Sequence, residues 1–220
     1  MGETIDAGKP SLRPRIFFAD DHAMVVQGLC ALLEKSYDIL GVVADGRALV
    51  AEAPKLHPDV VVVDVGMPFL NGLDAVERLI AVLPDTKFVF LTMQDDPNLA
   101  AAALRLGAVG YVLKHSAASE LRTAITAVLE GKSYVTPKLR PENWAVRDAR
   151  AQQYSKELTP RQRDVLQLLA EGRPMKEIAG ILEVCEKTIM FHKYHIMHEF
   201  NLKNNAEIVL FALKQRLIPA

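Results

Sequence analysis

From residue 15 to residue 131 the chain alternates five times between a short β-rich run and a helical stretch, and this alternation restricts the fold more than any other feature. Residues 15–19 (RIFFA), 37–43, 60–63 (VVVV), 88–91 (FVFL) and 109–113 read as strands. Residues 23–35, 47–56, 73–82, 97–106 and 117–130 read as helices, and Gly107 and Gly131 stand where the last two should stop. Four successive valines leave no polar face, so the third strand must be covered on both sides, as in a parallel sheet. Five such units imply an α/β doubly wound, flavodoxin-like domain with a five-stranded parallel sheet and right-handed crossovers. In sheets of this kind the functional site lies outside the carboxyl ends of the strands.

A single domain rarely uses 220 residues, and the pattern changes along the chain. Residues 132–156 lose periodicity and carry Pro137, Pro141, Trp144 and many charges, which suits a linker. From residue 157 the pattern is purely helical, with short helices expected at 160–171, 175–182, 186–200 and 206–215. The expected layout is therefore 15–131, a linker at 132–156, and a small all-α domain at 157–220. No apolar run approaches the ~20 residues of a membrane helix, and the polar N-terminus lacks a secretory signal core, so a cytoplasmic protein without a membrane partner is expected. Cys30 and Cys185 fall in different domains and suit reduced thiols.

The strand ends collect reactive groups. Asp20, Asp21 and His22 follow the first strand, Asp64 the third, Thr92 the fourth and Lys114 the fifth. Clustered carboxylates repel one another and call for a hard divalent cation with oxygen ligands, and Mg²⁺ is the expected ion. An aspartate can act as nucleophile toward phosphorus, a lysine can pair with phosphoryl oxygens, and a threonine hydroxyl can donate to one. His22 reads as a residue at the start of a helix on the rim of the site.

The segments IFFADDHAMVVQGL, VVVDVGMPFLNGLD, FLTMQDD and GYVLKHSA, spread in order over residues 15–131, resemble the receiver domain of bacterial response regulators. The resemblance implies that Asp64 is the phosphoacceptor. Asp20, Asp21, Asp64 and the backbone carbonyl of Gly66 would hold Mg²⁺. Lys114 would contact the phosphoryl group, and Thr92 would be the switch hydroxyl with Tyr111 as its aromatic partner. Met67-Pro68 and Gly72 would shape the loop after the acceptor. Met93 and Gly66 depart from the common pattern; the first is expected to narrow access and the second to change acyl-phosphate hydrolysis.

In the last quarter, Thr159 can cap a helix that begins at Pro160, and Gly172 ends it. Two short helices joined by the turn Glu183-Val184-Cys185 then form a helix-turn-helix pattern, whose second helix would enter the major groove. LTPRQRDVLQLLAEG, KEIAGIL and EKTIMFHKYHIMHEFNLKNNAEIVLFAL resemble the LuxR-type domain of NarL/FixJ-like regulators. The resemblance places Thr188, Met190, Phe191, His192, Lys193 and His195 on or around the recognition helix. Lys187, Lys193, Lys203 and Asn204 are candidates for phosphate or base contacts, and the last helix for dimerisation on DNA. Met190 stands where the family often has lysine, Gln162 where it has glutamate, Glu183 where it has glycine, and Cys185 where a serine or threonine caps the helix.

Charge sets the expected strength of binding. From Glu157 onward nine Lys/Arg face eight Asp/Glu, a net of +1, in a chain of net charge −1. Such a domain should bind DNA with modest affinity and depend on dimerisation. His192, His195 and His198 drift around a helix and suit solvent or DNA better than a metal. The combined reading is a phosphorylation-dependent transcriptional regulator, not an enzyme. A sensor histidine kinase would supply its phosphoryl group, double-stranded DNA would be its target, and it would act as a homodimer when phosphorylated. Two other readings compete. An aspartyl-phosphate phosphatase would need an acid two residues after its nucleophile, where Gly66 stands. A receiver acting only through protein contacts would leave the C-terminal helices without DNA.

Overall fold

The computed structural model describes residues 13–93, 95–139 and 158–219. The first domain is built on β1 (Arg15–Ala19), β2 (Asp38–Val43), β3 (Val60–Val63), β4 (Lys87–Thr92), β5 (Gly110–Leu113) and β6 (Tyr134–Val135). All pair in parallel, in the order β2-β1-β3-β4-β5-β6. The helices α1 (Ala23–Leu33), α2 (Gly46–Leu56), α3 (Gly72–Ile80), α4 (Pro97–Arg105) and α5 (Ala117–Leu129) alternate with the first five strands. Successive strand residues point to opposite faces, so two cores form. Phe17, Val61, Val63, Phe88 and Phe90 pack with α2, α3 and α4, while Ile16, Phe18, Val60, Val62 and Val89 pack with α1 and α5. The four valines of β3 are buried on both sides, as their run requires.

The sheet has six strands where five were expected. Tyr134 and Val135 extend it by pairing with Gly110 and Tyr111, and Thr136 and Leu139 behind them are buried. Residues 132–139 therefore finish the receiver sheet instead of opening the linker. A two-residue strand carries no periodicity that sequence could reveal. Residues 140–157, with Trp144 and the charged run assigned to the linker, lie outside the described residues, as do residues 1–12, 94 and 220.

The second domain contains α6 (Pro160–Ala170), α7 (Met175–Ile181), α8 (Glu186–Glu199) and α9 (Asn205–Lys214). Val165, Leu168, Ile178, Ile189, Ile196, Ile208 and Ala212 form its core. Thr159 caps α6 through a reciprocal pair: its hydroxyl accepts from the Gln162 amide N–H, and its own N–H donates to Gln162 Oε1 at 2.7 Å. Gln162 thus fills the structural role of the glutamate it replaces. Glu183 occupies the left-handed region at φ 54° in the turn before α8, the conformation for which glycine is suited.

Candidate phosphoacceptor and DNA-binding sites

The carboxyl end of the sheet gathers the acidic cluster. Asp64 closes β3, its N–H bonded to the Ala19 carbonyl at 2.8 Å, and its side chain is buried. Lys114, at the end of β5, places Nζ 2.7 Å from Asp64 Oδ2 and 2.9 Å from Asp20 Oδ1. Asp20 Oδ2 is buried and makes no hydrogen bond of usable geometry, although Nζ is 2.8 Å away. Asp21 and His22 form the open rim, with His22 Nδ1 2.8 Å from Asp21 Oδ1 and 3.1 Å from Asp20 Oδ1. Burial pushes the Asp64 carboxyl above its ordinary range, and the adjacent Lys114 ammonium pulls it back.

Ligand atoms of Asp20, Asp21, His22 and Asp64 lie within 4.8 Å of one another, and no other described residues bring together three or more such groups. The buried Asp20 oxygen without a hydrogen bond and the oxygen-rich donor set fit a hard divalent cation. Gly66 N–H reaches Asp64 Oδ1 at 3.3 Å, which sets its peptide beside that carboxylate. Thr92 is buried at the end of β4, in register with Leu113. Tyr111 is fully buried and packs against Phe90, and desolvation drives its hydroxyl pKa far upward. Met93, which follows Thr92, is 64% exposed.

Gly72 explains why the loop after Asp64 is compact. A Cβ there would lie 2.0 Å from the Asp64 carbonyl oxygen, so only glycine lets α3 start against the acceptor strand. The Asn71 side chain caps α3 by accepting from the Asp74 N–H at 3.0 Å.

This loop is also where the second domain is seated, a contact not foreseen from sequence. Gln167 of α6 accepts from the Asn71 N–H at 2.9 Å and donates Nε2 to the Met67 carbonyl at 3.0 Å, spanning the loop. Glu171 accepts from the Phe69 N–H at 3.1 Å, and the Arg173 guanidinium lies 4.0 Å above the Phe69 ring. Phe69 itself, at φ 64°, packs against the core of the second domain. Two crossed ion pairs flank the loop, Arg163–Asp74 and Arg78–Asp164, each at 2.6 Å. Burial raises the Asp164 pKa, and Arg78 opposes that shift. Beyond α9, Arg216 pairs with Asp96 and Pro219 covers Gly66, 3.5 Å from where a Cβ would stand. The one legible signal was polar: Asp164 and Gln167 sit on α6 among apolar residues, and both are buried.

The helix α8 lies open on the surface of the second domain. Ile189 and Ile196 point into its core, while Met190, Phe191 and Tyr194 are exposed. Lys187 is exposed at the start of this face, and His192 is half-buried with its pKa lowered by desolvation, then by Arg161 and His195. Thr188 Oγ1 is 3.2 Å from Cys185 Sγ, so the thiol reaches the hydroxyl without capping the helix. Lys193 donates to Asn205 at 2.9 Å, and His195 lies 3.1 Å from Gln162 and 3.3 Å from Glu199. Asn204 caps α9 by accepting from the Glu207 N–H at 2.9 Å, and Lys203 beside it is exposed. Tyr194, absent from the residues singled out by sequence, belongs to the same open face.

An acidic cleft with a buried lysine on a parallel sheet, joined to a helix-turn-helix, defines a phosphoacceptor regulator of DNA rather than a conventional enzyme. The response regulator receiver domain family matches residues 16–126, and the bacterial regulatory proteins of the luxR family match residues 156–212. The chain belongs to the response regulators with a LuxR-type DNA-binding domain, and it is a phosphorylation-dependent transcriptional regulator. The oxygen regulatory protein NreC of Staphylococcus carnosus is 36% identical over 214 residues, covering 93% of this chain and 99% of that protein. NreC of Staphylococcus aureus strain MRSA252 is also 36% identical, with the same coverage. Among solved structures, the RcsB response regulator of Salmonella typhimurium superposes with a TM-score of 0.61 at 27% identity, covering 92% of this chain and 98% of that one. RcsB of Salmonella enterica serovar Typhimurium bound to promoter rprA with phosphomimetic BeF3− gives a TM-score of 0.55 at 28% identity, over 91% and 98% of the two chains. No described helix is long and apolar enough to cross a membrane.

Proposed function

We propose that Asp64 accepts a phosphoryl group from a sensor histidine kinase and that this event controls promoter binding by α8. An Asp64 oxygen attacks phosphorus as the bond from phosphorus to the donor's nitrogen breaks, leaving an acyl phosphate on the chain. Asp20, Asp21, Asp64 and the Gly66 carbonyl would hold Mg²⁺, which when bound neutralises charge on the carboxylates and the incoming phosphoryl oxygens. Lys114 gives up its pairing with Asp64 to meet the phosphoryl oxygens, and Thr92 donates its hydroxyl to one of them. Tyr111, already buried against Phe90, repacks as Thr92 moves.

The observation that carries this reading is Lys114 Nζ lodged between the buried carboxylates of Asp64 and Asp20, 2.7 and 2.9 Å away. A buried lysine held between the two carboxylates that a phosphoryl transfer would rearrange, with His22 Nδ1 3.2 Å away on the rim, is poised for that transfer. The loop of residues 65–71 joins the acceptor to Gln167 and Glu171, so movement of the loop bears directly on the second domain. Phosphorylation then shifts a population from the seated arrangement toward one free to dimerise on DNA. The protein works in the cytoplasm, on double-stranded DNA, as a homodimer when phosphorylated.

Intact mass after incubation with Mg²⁺ and acetyl phosphate tests the chemistry. Wild type should gain one phosphoryl group and Asp64→Ala none. Equal modification of both, or of neither, would remove Asp64 from the role. Gly66, in the place where a phosphatase needs its second acid, speaks against turnover of a separate phosphorylated substrate.

A further inference from the structure

The exposed face of α8 is built for a chemistry other than hydrogen-bonded base reading. Met190 is 44% exposed, Phe191 65% and Tyr194 61%, at positions that share one side of a helix. With Lys187, His195 and His198 they line one shallow groove along it. The side chains that read bases by paired hydrogen bonds are arginine, lysine, asparagine and glutamine. None of these stands at the centre of the face. Lys193 is tied to Asn205, and His195 to Gln162 and Glu199. Lys187 lies at the N-terminal end, placed for a phosphate rather than for several bases.

The major groove offers one apolar base mark, the C5-methyl of thymine. We propose that Met190, Phe191 and Tyr194 read thymine methyl groups, so that the DNA sites of this protein are specified by runs of thymine and not by guanine. The inference rests on the reading of α8 as the DNA-binding helix. A protein partner fits the face less well. At up to roughly 250 Å² for each side chain, and with all three already partly buried, they fall short of the ~800 Å² each partner gives a stable interface. Thymine methyls need only one such side chain each. Lys187 at the head of the helix and His198 toward its tail line the same groove and would meet the phosphates on either side.

The test uses the full chain treated with Mg²⁺ and acetyl phosphate. Random-sequence duplexes are enriched by repeated binding, and the best is resynthesised with deoxyuridine in place of thymine, one position at a time. Anisotropy at fixed salt then gives the affinity. Removal of a contacted methyl should weaken binding about three- to fivefold, the value of one buried methyl-sized group. Phe191→Ala should erase that discrimination at one or two positions while leaving the salt dependence unchanged. Enrichment of duplexes with equal affinity for thymine and uracil at every position would overturn the inference and leave the DNA-binding reading intact. Failure to retain any duplex, even at low salt, would overturn both and return α8 to protein contacts.

Discussion

Replacing Gln167 by alanine should unseat the second domain from the acceptor loop. Gln167 is 1% exposed, and it serves two backbone groups of the loop, the Asn71 N–H at 2.9 Å and the Met67 carbonyl at 3.0 Å. Alanine removes both bonds and leaves both groups unpaired beneath α6. Each buried group so stranded costs about 1–3 kcal/mol. In the unseated arrangement water satisfies them, so the whole cost falls on the seated one. For the two groups together that is roughly 2–6 kcal/mol, which changes the ratio of seated to unseated molecules by at least about 30-fold, since 1.4 kcal/mol is tenfold. Pro219 covers Gly66 only while the domain is seated, and Gly66 borders Asp64, the proposed phosphoacceptor. Unseating should therefore speed phosphorylation as well as separate the domains.

Two readouts decide it. Scattering or trypsin sensitivity between residues 139 and 158 reports the separation, and intact mass against time with acetyl phosphate reports the rate. Gln167→Ala should increase both at unchanged helix content. Glu52→Ala, which breaks an exposed pair with Lys55, is the control and should alter neither, because such pairs contribute little. A Gln167→Ala protein that keeps wild-type dimensions and a wild-type phosphorylation rate would refute the claim that these hydrogen bonds hold the domains together.

Three further outcomes follow from local geometry. Gly72→Ala sets a methyl 2.0 Å from the Asp64 carbonyl, so it should destabilise the receiver by about 3 kcal/mol in urea titration and slow phosphorylation together; wild-type stability would contradict the close approach. Glu183→Gly relieves a left-handed residue at φ 54° and should stabilise the second domain by about 1 kcal/mol, read as a raised unfolding midpoint. His192 has its pKa lowered below 6.5 by burial, so its folded form resists protonation. The sign is a loss of stability as pH falls below 6.5, with the full contribution retained above it. His192→Gln should flatten that part of the pH–melting profile, and an unchanged slope would exclude the imidazole as its source.

Most of the receiver could be read from sequence because its determinants are local. The VVVV run requires burial on both faces, and Asp20, Asp64, Thr92 and Lys114 each stand at the end of a recognisable strand. Once the strands are parallel, their ends meet whatever the loops do. The C-terminal helices were equally legible through Thr159, Pro160, Gly172 and the apolar spacing. What escaped was the surface that joins them. Gln167, Asp164 and Asp74 are polar residues on amphipathic helices, and periodicity assigns such residues to solvent. Their burial depends on a partner from the other domain: Arg78 for Asp164, Arg163 for Asp74, and two loop backbone groups for Gln167. Such pairings span about 90 or more residues, and neither segment alone shows which group of the other it meets. The same blindness hid Tyr194, because only the exposure of α8 shows which three side chains stand together. Two polar residues at buried positions of one short helix are thus the sequence trace of a second surface. In this chain that surface bears on the loop that follows Asp64.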